Sequence, residues 1–413
     1  MSEPQRTSGA LVALGLALVV YAAFSQFKLP VVLPVLLQDY GYGRVLAGGF
    51  MSIFAVFGIL LSVPIGRLVA RRGALTLVMA ALPLMALGTA LCLVAPQSGA
   101  VMLAGRGLEG ASFAILAVAG PALATANAAP QHRALVIGLV SAWVPSGQLL
   151  AALLGPLALA SSGWQSLWVA CLALAGLLAG WTGLAMTRGP RGTTRRARAA
   201  AGEPARWNRA QWIALLLTGS VFMLWSGQYL AYMTWLPLYL VEQQGLSVEG
   251  AIGGYLIPVV LVGAFNLTTG FLLQRGWRAQ RLLFAAVAVQ AVLWWLLPVT
   301  GGGLGGLASL VLYGITSGIA PTCLFALSAH FVTSPGETAR AFGVTMTGRN
   351  LGVLGGPLLL ALALEQGAAE SGGGWLAGSL LFAALTTLAV ALCAALLLMV
   401  PRAAPEAAQG TRR

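Results

Sequence analysis

The sequence predicts an all-α membrane protein in which twelve transmembrane helices form two pseudo-symmetric six-helix bundles. Three observations lead to this prediction: the scarcity of charge, the regular series of long apolar segments, and the similarity of the two halves. Of the 413 residues, 59% are hydrophobic and 8% are charged, whereas an ordinary soluble domain carries about 25% charged residues. Because so few charges cannot cover a water-facing surface, lipid must surround most of the chain.

The distribution of the basic residues predicts how the helices cross the membrane. The net charge is +13, but most basic residues fall in alternate loops, as the positive-inside rule requires. The exceptions are Arg44, on the opposite side, and Lys28, Arg106 and Arg349, within apolar segments. We therefore expect a multi-pass protein of the cytoplasmic (inner) membrane with both termini cytoplasmic. The basic excess is a topology signal, so we expect the lipid bilayer as the partner and no nucleic acid.

A polar segment divides the chain into two bundles. The sequence predicts an N-terminal six-helix bundle over residues 1–187, a basic cytoplasmic linker over 188–209, and a C-terminal bundle with a short cytoplasmic tail over 210–413. Within the first bundle, residues 134–158 are predicted to form a single span, the fifth.

The two halves repeat one another. Leu33-Pro34 followed by Asp39 parallels Leu236-Pro237 followed by Glu242, and Gly48-Gly49 parallels Gly253-Gly254 at nearly the same separation. A duplicated six-helix unit is typical of carriers whose two bundles rock about a central site.

Two loops carry related motifs. The stretch Gly66–Gly73 resembles the loop between helices 2 and 3 of the major facilitator superfamily, and Gly270–Gly276 resembles its echo between helices 8 and 9. The resemblance implies a gating role for Gly66, Arg71, Gly73, Gly270 and Arg275. The family's usual Asp is replaced in these loops by Ala70 and Gln274.

Further matches extend this resemblance over nearly the whole chain. Arg106-Gly107-Leu108-Glu109-Gly110 resembles the helix-4 motif of the family, and Gly155-Pro156 and Gly356-Pro357 fall where the family has them in helices 5 and 11. Lys28-Leu29-Pro30 and Gly138–Ala142 resemble its cyanate/nitroimidazole-type branch. The resemblance implies a transporter that works as a monomer, without a cofactor, and moves a small-molecule solute by alternating access.

Four charged residues lie inside otherwise apolar runs: Lys28, Arg106, Glu109 and Arg349. A charge at the bilayer centre costs from about 3 to more than 10 kcal/mol, so such residues usually mark a path for a substrate or an ion. The three cations outnumber the carboxylate, and a cavity with that surplus attracts anions. The pattern predicts a secondary carrier for a small anion, with protons as the coupling ion.

Arg349, followed by Asn350, is the leading predicted substrate-binding residue. Its predicted span has no acidic residue, and a guanidinium binds a carboxylate through a bidentate fork. Lys28 offers an ammonium as a second anion contact and shares a helical face with Tyr21, and we predict that Tyr21 and Asn350 also bind the solute. The alternatives stay open that Lys28 snorkels to the outer interface and that Arg349 is structural, satisfied by backbone carbonyls or by Glu109.

Arg106 and Glu109 stand at positions i and i+3 of one helix, close enough for an ion pair. Burial favours the neutral carboxyl whereas Arg106 favours the ionised one, so a third charge can tip the balance between them. The sequence therefore predicts that this pair couples transport to protons, with Glu109 as the proton carrier. In the alternative, the two residues neutralise each other and fix their helix.

Trp225, Gln228 and Tyr232 share one face of the predicted seventh helix. An aromatic face with amide and hydroxyl groups can line a pocket for a small solute, and we predict that role for all three residues. The same face can equally serve helix packing or an interfacial belt.

Other classes of function fit less well. His132 and His330 fall in or near loops, and the sequence has neither a nucleophile–base pair nor a metal-ligand cluster, so we expect no enzyme and no metal site. A channel fits the internal repeat less well than alternating access does. The main alternative is a proton-driven efflux carrier for drugs or other hydrophobic compounds, in which Arg349 and Lys28 would be dispensable and Glu109 would not.

Overall fold

The computed structural model of the protein describes residues 7–188, 207–332, 335–371 and 374–403. Thirteen α-helices lie in these ranges, in chain order Gly9–Tyr40 (α1), Arg44–Arg72 (α2), Ala74–Val94 (α3), Gly99–Ala126 (α4), Arg133–Ser141 (α5), Trp143–Ser161 (α6), Gln165–Arg188 (α7), Arg209–Gln244 (α8), Val248–Gln274 (α9), Ala279–Leu296 (α10), Gly303–His330 (α11), Pro335–Ser371 (α12) and Gly374–Ala403 (α13). Within these ranges, twelve helices are long and apolar enough to cross a membrane. The predicted fold class is confirmed.

Two compact units can be described, each by itself. The first comprises Met1–Ala197 and Thr234–Val259, and the second comprises Arg198–Met233 and Val260–Arg413. The predicted linker over residues 188–209 lies mostly outside the described residues, as does the end of the predicted cytoplasmic tail. The predicted domain boundaries stay a prediction.

The predicted span over residues 134–158 is divided in two. Helix α5 ends at Ser141, and α6 begins at Trp143 after Ala142, whose φ of −85° and ψ of 5° leave the helical region. Pro145 explains the break, because it has no N–H to donate to the Ser141 carbonyl and its ring crowds that carbonyl.

The first unit is built around α1, which packs against α2, α4, α6 and α7, while α3 packs against α4 and α7. Small residues bring these helices close together. A Cβ atom on Gly15 of α1 would lie 2.7 Å from the carbonyl oxygen of Gly120 in α4, and one on Gly88 of α3 would lie 2.8 Å from the amide nitrogen of Glu109. This close packing encloses the polar side chains between α1, α2, α3 and α4.

In the second unit, α10 packs against α11 and α13, and α12 packs against α11 and α13. Glycines again mark the closest approaches. A Cβ atom on Gly318 of α11 would lie 2.6 Å from the carbonyl oxygen of Val262 in α9. Helices α8 and α12 also meet along glycines, and this contact positions Arg349.

Candidate functional site

Lys28, Arg106 and Glu109 form one group in the first unit, which we call the buried charge cluster. Lys28 Nζ lies 2.6 Å from Glu109 Oε1, and Arg106 Nη1 lies 2.6 Å from Glu109 Oε2. All three side chains are fully buried. One carboxylate therefore bridges two cations from different helices, and one positive charge is left over.

All three nitrogen atoms of the Arg106 guanidinium donate hydrogen bonds. It donates to the carbonyl oxygens of Phe50, Ser25 and Gln26 at 3.2, 2.8 and 3.0 Å, to Glu109, and to Met51 Sδ. The sequence provides one of these acceptors directly: Pro30 has no N–H, so the carbonyl of Gln26 has lost its helical partner and is free to accept from Arg106. Arg106 is thus held by the backbone of α1 and α2.

Lys28 has fewer polar contacts. Besides Glu109, its ammonium lies 4.5 Å from the centroid of the Trp168 ring, a distance at which an aromatic face attracts a cation. Thr89 Oγ1 donates to Glu109 Oε1 at 2.7 Å, so this carboxylate oxygen accepts from two groups. Tyr21, predicted to bind solute beside Lys28, donates through its hydroxyl to the carbonyl oxygen of Cys171 in α7 at 3.1 Å.

Arg349 has a different environment in the second unit. Its side chain is half-buried, and its Nη1 donates to Oδ1 of the adjacent Asn350 at 3.2 Å. Among the residues that the structure describes, no carboxylate forms an ion pair with Arg349. The Tyr229 hydroxyl is close enough to interact with it electrostatically. Tyr229 in turn stacks on Trp225, with ring centroids 5.2 Å apart. We call Arg349, Asn350, Ser226 and Tyr229 the Arg349 site.

A close contact between α8 and α12 fixes the backbone of this site. Ser226 Oγ donates to the carbonyl oxygen of Arg349 at 2.8 Å. A Cβ atom on Gly348 would overlap the carbonyl oxygen of Gly219, and one on Gly352 would overlap the carbonyl oxygen of Met223. Because small residues let helix backbones approach closely in membranes, these glycines set the distance between Arg349 and α8.

Gln228 belongs to a neighbouring hydrogen-bond network that joins α8, α10 and α11. Its Oε1 accepts from Trp294 Nε1 and from the Tyr313 hydroxyl, both at 2.8 Å, and its Nε2 donates to Gln290 Oε1 at 3.0 Å. Tyr232 stacks on Tyr313 with ring centroids 3.6 Å apart. Gln228 and Tyr232, both predicted to bind solute, are therefore engaged with other helices of the unit in this conformation.

The predicted gating loops share one backbone feature. Gly73, after α2, has φ +84°, and Gly276, after α9, has φ +87°, a left-handed conformation that disfavours any other residue. Arg71 is exposed, and the Arg275 guanidinium lies 4.1 Å from the Phe271 ring centroid. A Cβ atom on Gly66 or Gly270 would meet nothing within 4 Å, so packing does not require glycine there.

The structure thus places the predicted charged residues of the helices in two groups, one in each unit. Lys28, Arg106 and Glu109 come together with Thr89 and Trp168, whereas Arg349 and Asn350 lie with Ser226 and Tyr229, and Trp225 stacks on Tyr229. Thr89, Trp168, Ser226 and Tyr229 were missed, since isolated threonines, serines and aromatic residues in apolar helices look like packing residues. Among the described residues, no three His, Cys, Asp or Glu side chains are grouped as metal ligands.

Comparisons with known proteins agree with this architecture. A model of the Major Facilitator Superfamily matches residues 14–357. A crystal structure of a bacterial homolog of the human lysosomal transporter Spinster, inward-facing and occupied, has 18% identity and a TM-score of 0.76, covering 98% of this chain and 100% of that one. The inward-facing, unoccupied structure has 17% identity, a TM-score of 0.77 and the same coverage. At these identities the likeness shows the fold alone. No curated protein sequence matches the chain.

Proposed function

The chain belongs to the major facilitator superfamily, and from this premise we propose that it is a secondary active carrier of a small anionic solute, coupled to protons. Members of this family are membrane transporters rather than enzymes. The solute and the coupling ion are inferred from the charges inside the two units.

The observation that carries the proposal is the contrast between Arg349 and the other charges at depth. The two cations of the buried charge cluster share the carboxylate of Glu109, whereas Arg349 has no carboxylate partner among the described residues. A cation inside a membrane protein needs a compensating charge or an opening to water. An anionic solute supplies that charge, and the planar guanidinium suits a carboxylate or another oxyanion.

The buried charge cluster supports coupling to protons. With Glu109 ionised its net charge is one positive unit, and a proton on Glu109 raises it to two. A second uncompensated charge is costly at low dielectric, so protonation becomes favourable when an anion enters at the same time. Protonation also frees Lys28 from its only ion pair among the described residues, so its ammonium can contact an anion. This charge balance favours symport of a proton with the anion.

The distribution of arginines supports an inner-membrane protein with cytoplasmic termini, and the chain is proposed to act as a monomer by alternating access. Lys28-Leu29-Pro30 supports a place in the cyanate/nitroimidazole-type branch.

Transport by purified protein in liposomes tests the proposal. A panel of labelled small anions is offered with and without an inward proton gradient, to the native protein and to Arg349→Gln and Lys28→Gln. We expect one or more anions to accumulate in response to the gradient, and both variants to lose that uptake. Arg278→Gln, which removes an exposed arginine before α10, is the matched control and should transport normally.

The opposite result would favour efflux of drugs or other hydrophobic compounds. In that case Arg349→Gln and Lys28→Gln would still transport, Glu109→Gln would lose the response to the proton gradient, and hydrophobic drugs rather than small anions would raise the melting temperature of the purified protein.

A further inference from the structure

Thr89 of α3 is fully buried and directs its hydroxyl at a neighbouring helix. Its Oγ1 donates to Glu109 Oε1 in α4 at 2.7 Å. Buried threonines in other helices, such as Thr182 and Thr386, donate to a carbonyl oxygen of their own helix at 2.7 and 2.6 Å, which is a common arrangement for a threonine inside a helix. The Thr89 hydroxyl is therefore committed to the buried charge cluster.

The backbones of α3 and α4 hold Thr89 close to Glu109. A Cβ atom on Gly105 of α4 would lie 2.7 Å from the carbonyl oxygen of Gly88, the residue before Thr89. Because neither glycine leaves room for a side chain, the two helices are fixed at a distance at which the short threonine side chain reaches the carboxylate.

The two oxygens of Glu109 have different partners. Oε2 accepts from Arg106, whose guanidinium is held by carbonyl oxygens of α1 and α2. Oε1 accepts from Lys28 and from Thr89. Arginine and lysine side chains can only donate, whereas a hydroxyl can either donate or accept. Oε1 is therefore the oxygen suited to carry a proton, because Thr89 can accept a hydrogen bond from it there.

A second contact allows the Thr89 hydroxyl to turn. Its Oγ1 lies 3.8 Å from Cys171 Sγ in α7, and a thiol sulfur is a weak acceptor. While Glu109 is ionised, the hydroxyl hydrogen of Thr89 points to Oε1. When Glu109 takes a proton from the aqueous phase, an O–H bond forms at Oε1 and its hydrogen points to Thr89 Oγ1. Thr89 keeps its own hydrogen, which turns towards Cys171.

From these contacts we propose that Thr89 is a positioning residue for the coupling proton, which it directs to Oε1 of Glu109 and whose release it favours. This inference rests on the proposed function, in which Glu109 carries the proton. The hydroxyl can bond to both forms of the carboxyl, but a hydrogen bond to an ionised group is roughly twice as strong as a neutral one. Thr89 therefore stabilises the carboxylate more than the acid, and it remains a partner for Oε1 when Lys28 separates from it.

Other titratable or charged groups also interact with Glu109 from the helices around it. They are Lys28 and Tyr21 from α1, Cys92 from α3 and Arg106 from α4, with Cys171 of α7 beyond Thr89. From α2, the carbonyl oxygen of Phe50 and the ring of Phe54 contact Arg106. All of these groups stay in place when Thr89 alone is substituted, so a change in the protonation of Glu109 then reports on the hydroxyl.

Infrared spectroscopy of the purified full-length protein measures this protonation directly. The C=O stretching band of a protonated carboxyl is recorded in detergent from alkaline to acidic pH. The band that is missing from Lys28→Met/Glu109→Gln, which removes one cation together with the carboxylate, belongs to Glu109. The probe is the proton itself, so the measurement does not depend on the identity of the solute.

Thr89→Val keeps the size of the side chain and removes the hydroxyl. We expect the ratio of protonated to ionised Glu109 at a fixed pH to rise about three- to tenfold. Thr89→Ser keeps the hydroxyl and should stay within about twofold of the native ratio, and Thr89→Cys, with a weaker donor, should show a smaller rise than Thr89→Val. Thr182→Val removes a buried hydroxyl that bonds within its own helix. It is the matched control and should leave the ratio unchanged.

The outcomes separate this inference from the proposed function. A native ratio in Thr89→Val would overturn the inference and leave Glu109 as the proton carrier, and a lower melting temperature with that native ratio would assign the hydroxyl a structural role alone. If Thr89→Val does not fold, a ratio in Thr89→Cys at or below the native value would overturn the inference. If the native protein shows no Glu109 band at any pH at which it is folded, proton coupling through Glu109 fails and this inference fails with it.

Discussion

The buried charge cluster and the Arg349 site hold the same kind of group in opposite ways. Arg106 is fully buried and uses its donors on Glu109, backbone carbonyls of α1 and α2, and Met51. Arg349 is half-buried, and its side chain has one described acceptor, the amide of Asn350. Both are arginines inside apolar helices. The two arginines differ in their partners and not in their position within an apolar helix. The partners show which charge the protein balances and which it leaves unbalanced.

Because of this difference, substitutions in the two regions should have different effects on stability and on transport. A buried ion pair contributes little net stability, but removing one partner leaves an uncompensated charge and is strongly destabilising. A cation without a fixed partner can be removed at little cost to folding, because no other buried group depends on it. A substitution that breaks the cluster should therefore reduce stability strongly. A substitution of Arg349 should reduce transport with little effect on stability.

Glu109→Gln should have the largest effect on stability. It removes the carboxylate that Lys28 and Arg106 share and leaves two fully buried cations near each other. We expect the free energy of unfolding to fall by about 3–5 kcal/mol, which is detected as a lower melting temperature in detergent micelles. The double variant Lys28→Met/Glu109→Gln removes one cation together with the carboxylate and should recover most of the loss.

Glu242→Gln is the control for this substitution. Glu242 pairs with Arg44 at 2.9 Å, with side chains 31% and 27% exposed, and exposed pairs are worth about 0–1 kcal/mol. Equal melting temperatures for Glu109→Gln and Glu242→Gln would contradict the idea that the cluster is held by its charge balance.

Gly352→Ala should have the next largest effect and acts on the second region. Its Cβ atom would overlap the carbonyl oxygen of Met223, so α8 and α12 must separate and shift Arg349, one turn away. We expect the free energy of unfolding to fall by about 1–3 kcal/mol and anion uptake to weaken. Gly180→Ala in α7, where a Cβ atom meets nothing within 4 Å, should change neither.

Much of the fold could be predicted from the sequence, because a membrane imposes simple constraints. Length and hydropathy identify the twelve spans, and the spacing of Arg106 and Glu109 on one helix predicts the contact that the structure contains. Pro145 could also have predicted the division between α5 and α6, since proline removes a donor and crowds the preceding turn.

The composition of the site could be predicted only in part. Lys28 joins Glu109 across 81 positions of sequence, and no helical periodicity predicts which helices will pack together. Trp225 and Gln228 lie close together on α8, yet one has an indole N–H without a described partner and the other is saturated by Trp294, Tyr313 and Gln290. That distinction depends on α10 and α11, so the pattern of α8 alone cannot reveal it.

Gln228→Leu tests whether its network holds the second unit together. The substitution leaves the Trp294 N–H and the Tyr313 hydroxyl without their shared acceptor. Interhelical hydrogen bonds in membranes are worth about 1–2 kcal/mol at most, and we expect a loss in that range from thermal unfolding. Gln228→Glu keeps the acceptor oxygen but adds a charge. If Gln228→Leu loses less stability than Gln228→Glu, burying the charge costs more than losing the shared acceptor.

Arg349→Gln should have the smallest effect on stability and is the sharpest test of the comparison. Without a carboxylate partner among the described residues, its removal leaves no buried charge behind, and the desolvation cost of the guanidinium disappears with it. We expect the free energy of unfolding in the absence of solute to stay within about 1 kcal/mol of that of the native protein or to rise, while the stabilisation by added anion is lost. A marked drop without solute would mean that Arg349 is a structural arginine like Arg106. The unbalanced charge of this chain would then have to be sought at Lys28, the cation with the fewest polar contacts in the cluster.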